Sequence, residues 1–103
     1  MTSGTSQSWG MRWPGATVGQ RAEAAGCAAF CTGEFADGNA YVALAEMAAN
    51  TTTARVGTGV AYAFARSPFV HASGLRHADK IAPGRIFCGL GSGTRRMNED
   101  WFS

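Results

Sequence analysis

The chain contains two kinds of apolar block, which follow one another in turn and predict alternating helices and strands. Three blocks have apolar residues at helical spacing along one face: 16–25, 41–50 and 68–80. Three shorter apolar blocks have the length of a strand: 27–32, 55–62 and 85–90. Gly26 follows the first helix where a left-handed cap is expected, and Pro68 opens the third. Gly57 and Gly59 lie inside the second strand, which indicates a bulge or a group that closely approaches the backbone.

Helices that alternate with strands over short connections predict a parallel sheet built from βαβ units, which is an α/β fold. About three parallel strands are expected, in one domain spanning residues 16–103. A sheet of three strands has two open edges, and open edges pair with something unless they are covered. We therefore expect the sheet to continue beyond these three strands. Residues 1–15 are rich in Ser, Thr and Gly and are expected to form a disordered or loosely packed leader.

Composition and charge exclude several classes of function. The chain has 103 residues and a net charge of +2, so nothing in the charge favours DNA, RNA or an anionic membrane as a partner. No apolar run is long enough to cross a membrane, and the polar start lacks the features of a secretory signal. The cysteines, Cys27, Cys31 and Cys88, are odd in number and lack metal-binding spacing. They indicate reduced thiols and a cytoplasmic location.

The core is expected to be poor in large side chains. Val, Ile, Leu and Phe together account for 16 residues, whereas Ala alone accounts for 19. Small side chains bury little area at about 25 cal/mol per Å², and ordering the chain costs about 1.5 kcal/mol per residue. The chain is therefore expected to be part of a larger unit.

Candidate chemistry lies in the loops that follow the strands, because parallel sheets bind ligands at the carboxyl ends of their strands. These loops are 33–39, 59–66 and 91–98. The last combines alternating glycines with Thr94, Arg95 and Arg96, groups that can hold a phosphate, although a tight strand-to-helix turn explains the glycines equally well. It matches neither the dinucleotide fingerprint nor the P-loop. His71 and His77 are six residues apart, which is not a metal-binding spacing on one helix face, and no metal is expected.

Several segments, in this order and spacing, resemble the luciferase-like flavin- or deazaflavin-dependent oxidoreductases, the family of bacterial luciferase-like monooxygenases. The resemblance covers about 21–101. The matching segments are Arg21-Ala-Glu-Ala-Ala-Gly26, Gly33-Glu34-Phe35, Tyr41-Val-Ala-Leu-Ala-Glu46, Thr53-Ala-Arg-Val-Gly-Thr-Gly-Val60, Arg66-Ser-Pro68, Pro83-Gly-Arg85 and Gly89-Leu-Gly-Ser-Gly93.

The resemblance implies a TIM (β/α)8 barrel that binds FMN or the 8-hydroxy-5-deazaflavin coenzyme in its carboxyl-end mouth and acts on a small organic substrate. It places Gly59, Val60, Ser92 and Thr94 at the cofactor. It also implies a cis peptide bond between Gly59 and Val60, behind the flavin ring. Relatives often carry a histidine after an acidic residue where this chain has Gly33 and Glu34, so no proton-transfer histidine is carried over. Glu34 is therefore either a catalytic acid or base, with a pKa raised by burial, or a turn carboxylate paired with an arginine.

A complete barrel needs about 250 residues. We therefore expect a partial TIM barrel in which the first strand and the C-terminal half are missing. The corresponding function is that of a fragment of a flavin- or deazaflavin-dependent oxidoreductase that is inactive alone. The alternative is a truncated product or small α/β module without catalysis, which forms homo-oligomers through its open sheet edges.

Overall fold

Four parallel strands form one sheet in the computed structural model, which describes residues 4–7, 15–34 and 38–102, with side chains from residue 19 onward. The strands follow one another in chain order across the sheet: β1 (Gly4–Gln7), β2 (Ala29–Thr32), β3 (Arg55–Tyr62) and β4 (Ile86–Gly91). Three helices lie between them in sequence: α1 (Gly15–Ala24), α2 (Ala40–Ala49) and α3 (Pro68–Ile81). A 3₁₀ turn (Ala63–Ala65) and a π-helical turn (Met97–Trp101) follow β3 and β4.

The expectation that the first strand is missing is wrong. Residues Gly4–Gln7 form β1, which pairs with β2 in parallel from Gly4 opposite Ala29 to Gln7 opposite Thr32. This strand carries Gly, Thr, Ser and Gln, so it has no apolar alternation for a pattern to detect. Its pairing depends on backbone groups, which every residue type supplies. The rest of the expected leader, 1–3 and 8–14, lies outside the described residues.

The sheet is a partial TIM barrel. In a doubly wound sheet the strand order reverses at some point, whereas in a barrel each successive strand is added on the same side of the last. The order here never reverses, all three pairings are parallel, and a helix separates each strand from the next. The predicted α/β class and parallel sheet are therefore confirmed, with one strand more than expected.

Local capping sets where the helices begin and end. The Asn39 side chain accepts hydrogen bonds from the backbone N–H groups of Tyr41 (3.0 Å) and Val42 (3.2 Å), which fixes the start of α2. Ser67 accepts one from Val70 at 3.2 Å and precedes Pro68, as expected for a helix start. Gly26 has φ +94°, the left-handed conformation predicted after the first helix.

The main core lies between the sheet and the helices. Large side chains from β2, α2 and β3 meet there, and alanines fill the rest: Phe30, Leu44, Met47, Ala48, Ala54, Val56, Ala78 and Ala82. Leu44 and Val56 are completely buried. The core is small, as the shortage of large apolar residues predicts. None of the helices in the described ranges is long and apolar enough to cross a membrane.

On the opposite face of the sheet, which corresponds to a barrel interior, the Phe87 ring packs directly against the backbone of Gly57. A Cβ atom at Gly57 would lie 2.4 Å from the Phe87 ring, so only glycine allows this ring to cross β3. The Arg55 guanidinium lies over the same ring, 5.4 Å from its centroid. The pairing of β3 with β4 shifts register between Thr58 and Ala61. The strand glycines thus mark both a bulge and a close approach, as predicted.

Candidate functional site

A cavity of about 480 Å³ lies where β2, β3 and β4 end. It is lined by residues from the three loops that the sequence analysis selected: Gly33, Glu34, Gly59, Val60, Tyr62, Gly91 and Gly93. Four of the seven are glycines, so much of the wall is bare backbone. Val60 adds an apolar side chain that is 40% exposed. The strand ends thus form a shallow, largely apolar surface at the edge where parallel sheets bind ligands.

The structure brings three of the predicted site residues together in this cavity. Glu34, Gly59 and Val60 line it, and they come from the ends of two neighbouring strands. Ser92 lies between two lining glycines on the loop after β4. Its exposed hydroxyl donates to the Gly93 carbonyl at 3.3 Å.

Thr94 has a structural task at the same loop. Its Oγ1 accepts a hydrogen bond from the backbone N–H of Met97 at 3.1 Å, which caps the turn that follows. Its backbone carbonyl accepts from the Asn98 side chain at 2.8 Å. The cofactor contacts expected of Ser92 and Thr94 remain predictions.

The expectation of a cis peptide bond between Gly59 and Val60 is wrong. The peptide between Gly59 and Val60 is trans, as are the others in the described residues. A trans bond is favoured by about 3–4 kcal/mol for a residue other than proline. Gly59 instead serves close packing, because a Cβ atom there would lie 3.0 Å from the Cys31 sulfur of the neighbouring strand. The backbone at Gly59 stays open to a ligand on the cavity side.

Glu34 is paired with an arginine, which is one of its two expected roles. Its Oε1 accepts from the backbone N–H of Tyr62 at 3.0 Å and from Arg66 Nη1 at 2.9 Å. Its Oε2 accepts from the backbone N–H of Ala40 at 3.0 Å and from Arg66 Nη2. The side chain is only 7% exposed, and Arg66 is 11% exposed. This is a two-pronged ion pair in which every bond acts on a charged carboxylate.

These bonds favour the charged form of the Glu34 carboxyl. Burial raises the pKa of its carboxyl, but the Arg66 guanidinium and the N–H groups of Tyr62 and Ala40 outweigh burial. The net pKa lies below the usual value for glutamate. The raised pKa expected of Glu34 is therefore wrong, because Arg66, 32 residues away in the chain, lies beside its carboxylate. A catalytic role for Glu34 stays a prediction.

Behind the ion pair lies a group of residues that sequence reasoning did not connect. The Arg66 guanidinium lies 4.8 Å from the centroid of the Tyr41 ring. The Tyr41 hydroxyl is 2.6 Å from Nδ1 of the buried His71, whose Nε2 is 3.1 Å from the Ala63 carbonyl. A carbonyl only accepts, so Nε2 carries the proton and Nδ1 accepts from Tyr41 in the neutral ring. Burial raises the pKa of Tyr41 to about 12, which keeps the hydroxyl protonated and able to donate.

Tyr62 is a further residue that sequence reasoning did not single out. It lines the cavity at the end of β3, its backbone N–H is bound by Glu34, and its ring packs against Phe102 with centroids 5.5 Å apart. Its position as the last residue of a predicted strand is a signal that was available in the sequence. Nothing in the sequence indicated Phe102 as its packing partner, because that contact joins residues forty apart.

Comparison with known proteins agrees with this architecture. The family model of the luciferase-like monooxygenases matches residues 15–103. Among solved structures, the chain is similar to the oxygenating constituent of 3,6-diketocamphane monooxygenase from Pseudomonas putida, a type II Baeyer–Villiger monooxygenase in complex with FMN. The TM-score is 0.82 at 19% identity, over 96% of this chain and 31% of that one.

A second similar structure is the coenzyme F420-dependent tetrahydromethanopterin reductase from Methanopyrus kandleri. The TM-score is 0.76 at 22% identity, over 93% of this chain and 28% of that one. At these identities the two likenesses show a shared fold, and this chain spans less than a third of either protein. The family model covers most of the chain, and the chain therefore belongs to the luciferase-like monooxygenase family.

Proposed function

We propose that this chain is the cofactor-facing part of a flavin- or deazaflavin-dependent oxidoreductase that acts on a small organic substrate. The observation that carries the proposal is the glycine-walled cavity at the carboxyl ends of β2, β3 and β4. Family membership supports it, since one similar structure holds FMN and the other protein depends on coenzyme F420. The cavity thus has a shape that suits a flat cofactor, and the similar proteins use cofactors of that kind.

The residues present fit a planar ring system. Gly59 offers bare backbone at the cavity, and the neighbouring Val60 offers an exposed apolar side chain on which a ring can rest. Ser92, between two lining glycines, would offer its hydroxyl to the bound cofactor, and the Thr94 hydroxyl caps the turn that follows this loop. When bound, the flavin or deazaflavin supplies hydride transfer or, for a flavin, oxygen activation. The protein supplies binding, orientation and exclusion of water.

A site of this kind is incomplete on four strands. The chain covers only 28–31% of the similar proteins, and in TIM barrels the phosphate-binding site is usually built by the loops after the last strands. We therefore propose that the chain works as a fragment of a longer barrel. Alone, it should bind the cofactor weakly and show little or no turnover.

Filling the cavity tests the proposal. FMN and the deazaflavin are titrated separately into the purified chain, with binding followed by absorbance and fluorescence. Val60→Phe places a bulky ring in the cavity and should weaken binding about tenfold, or about 1.4 kcal/mol. Val42→Phe is the matched control, because Val42 is 60% exposed on α2, away from the cavity, and this change should leave binding unaltered.

Three outcomes would contradict parts of the proposal. If the unmodified chain binds neither compound, a flavin or deazaflavin is excluded as its cofactor. If Val60→Phe binds as tightly as the unmodified chain, this cavity is excluded as the binding site. Tight stoichiometric binding with turnover would exclude the fragment, because a complete site would then exist on the chain alone.

An alternative without catalysis is favoured by the edge of β4. Among the described residues no strand pairs with the outer side of β4, and its Leu90 is 57% exposed. An open edge beside an exposed leucine favours pairing with another chain. A stable homo-oligomer in light scattering that binds neither cofactor would support this small module. A barrel-like coding sequence on either side of the gene segment would support the fragment.

A further inference from the structure

The buried ion pair of Glu34 and Arg66 lies directly against the cavity, and it connects three parts of the chain. Glu34 follows β2, and its carboxylate holds the backbone N–H of Ala40 at the start of α2 and that of Tyr62 at the end of β3. Arg66 comes from the segment that leads into α3 and binds both carboxylate oxygens. A single carboxylate therefore fixes the relative positions of two strand ends and one helix start.

The segment that runs from Tyr62, the last residue of β3, to Arg66 is held at three points. The Tyr62 N–H is bound by Glu34, the Ala63 carbonyl accepts from His71, and the Arg66 side chain binds Glu34. Tyr41 joins the second and third points, because its ring lies under the Arg66 guanidinium and its hydroxyl reaches His71. This fixed segment begins at Tyr62, which forms one wall of the cavity.

The charge of Glu34 is used entirely inside this network. The carboxylate lines the cavity, yet both oxygens are occupied by N–H donors from the protein, and the side chain is 7% exposed. It is therefore poorly placed to exchange a proton with a ligand. Its geometry suits another task, which is to hold the backbone around the cavity in one arrangement.

We propose that Arg66 and Glu34 are positioning residues that fix Tyr62 as a wall of the cofactor cavity, with Tyr41 and His71 supporting Arg66 from behind. The inference rests on the proposed function for the ligand of the cavity. If these four residues only stabilised the fold, the whole of β3 would depend on Arg66 equally. In the proposed role, the local arrangement at Tyr62 depends on Arg66 more than the rest of β3 does.

The experiment compares Arg66→Met with Arg76→Met, an exposed arginine of α3, as the matched control. Amide hydrogen exchange is measured by NMR at Tyr62 and at Val56. Val56 lies in the same strand and donates to the Arg85 carbonyl at 2.8 Å. In Arg66→Met the exchange of Tyr62 should accelerate about tenfold relative to Val56. In Arg76→Met the ratio should not change.

Cofactor binding gives the second readout. Arg66→Met should bind FMN or the deazaflavin about tenfold more weakly, with the dissociation constant corrected for the folded fraction. Arg66→Lys should recover part of this loss, because lysine keeps the charge but cannot bind both carboxylate oxygens through a planar fork. Arg76→Met should bind as the unmodified chain does.

Two results would overturn the inference. The first is a folded Arg66→Met in which Tyr62 and Val56 accelerate together, because that is the behaviour of a residue that only stabilises the fold. The second is an unchanged dissociation constant in the same variant. If the unmodified chain binds neither cofactor, the proposed function fails, and the exchange ratio alone decides this inference.

A second variant covers the case in which Arg66→Met does not fold. Tyr41→Phe keeps the ring under Arg66 and removes only the hydroxyl that reaches His71. The exchange of Tyr62 relative to Val56 should then rise about threefold, as expected for the loss of one hydrogen bond in the network. No change in this ratio would overturn the inference.

Discussion

The two ends of the sheet are each held by one glutamate, and they use it differently. At the amino end, Glu23 of α1 accepts from three consecutive backbone N–H groups, of Thr52 (3.0 Å), Thr53 (2.8 Å) and Ala54 (2.7 Å). At the carboxyl end, Glu34 accepts from two N–H groups that are far apart in the chain and from an arginine. One carboxylate fixes a single loop, whereas the other joins three elements.

The surroundings of the two ends differ in the same way. At the amino end, Arg85 fills the space beside the loop and donates to the Thr51 hydroxyl (2.9 Å) and the Ala54 carbonyl (2.8 Å). At the carboxyl end, glycines leave a cavity open next to the ion pair. In TIM barrels the amino face serves stability and the carboxyl face carries the site. The polar groups of this chain follow that division.

Loss of the Glu34 charge should have the largest effect of the changes that test this contrast. Glu34→Gln leaves Arg66 buried without its counter-ion, and removing one partner of a buried pair costs about 3–5 kcal/mol. Chemical denaturation should show a loss of about 3 kcal/mol, and cofactor binding should weaken as well. Glu46→Gln, on the exposed side of α2, is the control and should change neither. A stable Glu34→Gln with normal binding would remove the distinction between the two ends.

Loss of Arg85 should reduce stability without touching the site. Arg85→Met leaves the carbonyls of Ala54 and Thr51 without the guanidinium, and unsatisfied buried groups cost about 1–3 kcal/mol. We expect a loss of about 2 kcal/mol in chemical denaturation. Cofactor binding by the folded fraction should equal that of the unmodified chain, and Arg76→Met again serves as the control. Weaker binding by the folded fraction would show that the two ends are coupled.

The smallest effect is expected at Glu23, where it depends on pH. Partial burial opposes ionisation, but the N–H groups of Ala54, Thr53 and Thr52 outweigh it and lower the pKa of Glu23 from 4.5 to about 2. A lowered folded-state pKa contributes stability that is fully present above pH 4.5 and is lost as the pH falls toward 2. Glu23→Gln should therefore be less stable at pH 7, by about 1 kcal/mol.

The pH profile provides the decisive comparison for Glu23. The difference between Glu23→Gln and the unmodified chain should shrink as denaturation is measured from pH 4.5 down to pH 2. The variant should keep some acid sensitivity, because the pKa of Glu34 is also lowered. A difference that stays constant over this range would show that the Glu23 charge has no part in holding the loop. Glu46→Gln should follow the unmodified chain throughout.

Much of the architecture was predictable because it follows from local patterns. Apolar periodicity gave α2 and α3 to within about one residue at each end, and the turn signal at Gly26 was correct. The alternation of helices and strands then placed the candidate loops at one edge of a parallel sheet. That edge is where the cavity lies. Position along the strands was therefore enough to select the loops that line the cavity, whereas Gly59 and Val60 were named as cofactor contacts by the resemblance and stay predictions.

Neither β1 nor the role of Glu34 could be predicted from the sequence, for different reasons. β1 pairs through backbone groups and has no apolar pattern, so nothing in its side chains distinguishes it from a loop. Glu34 carried two possible roles until Arg66 was placed beside it. The cis bond between Gly59 and Val60 was expected from the resemblance alone, and the bond is trans.

The sequence by itself determined the order of the elements, the parallel sheet and the edge that carries the cavity, because those depend on periodicity and on short connections. Only the tertiary structure decided which charges meet, since Glu34 and Arg66 are brought together by the packing of β2 against β3. A carboxylate has the same formula in a catalytic site and in an ion pair. Its neighbours set its pKa and its role, and they come together only when the chain folds.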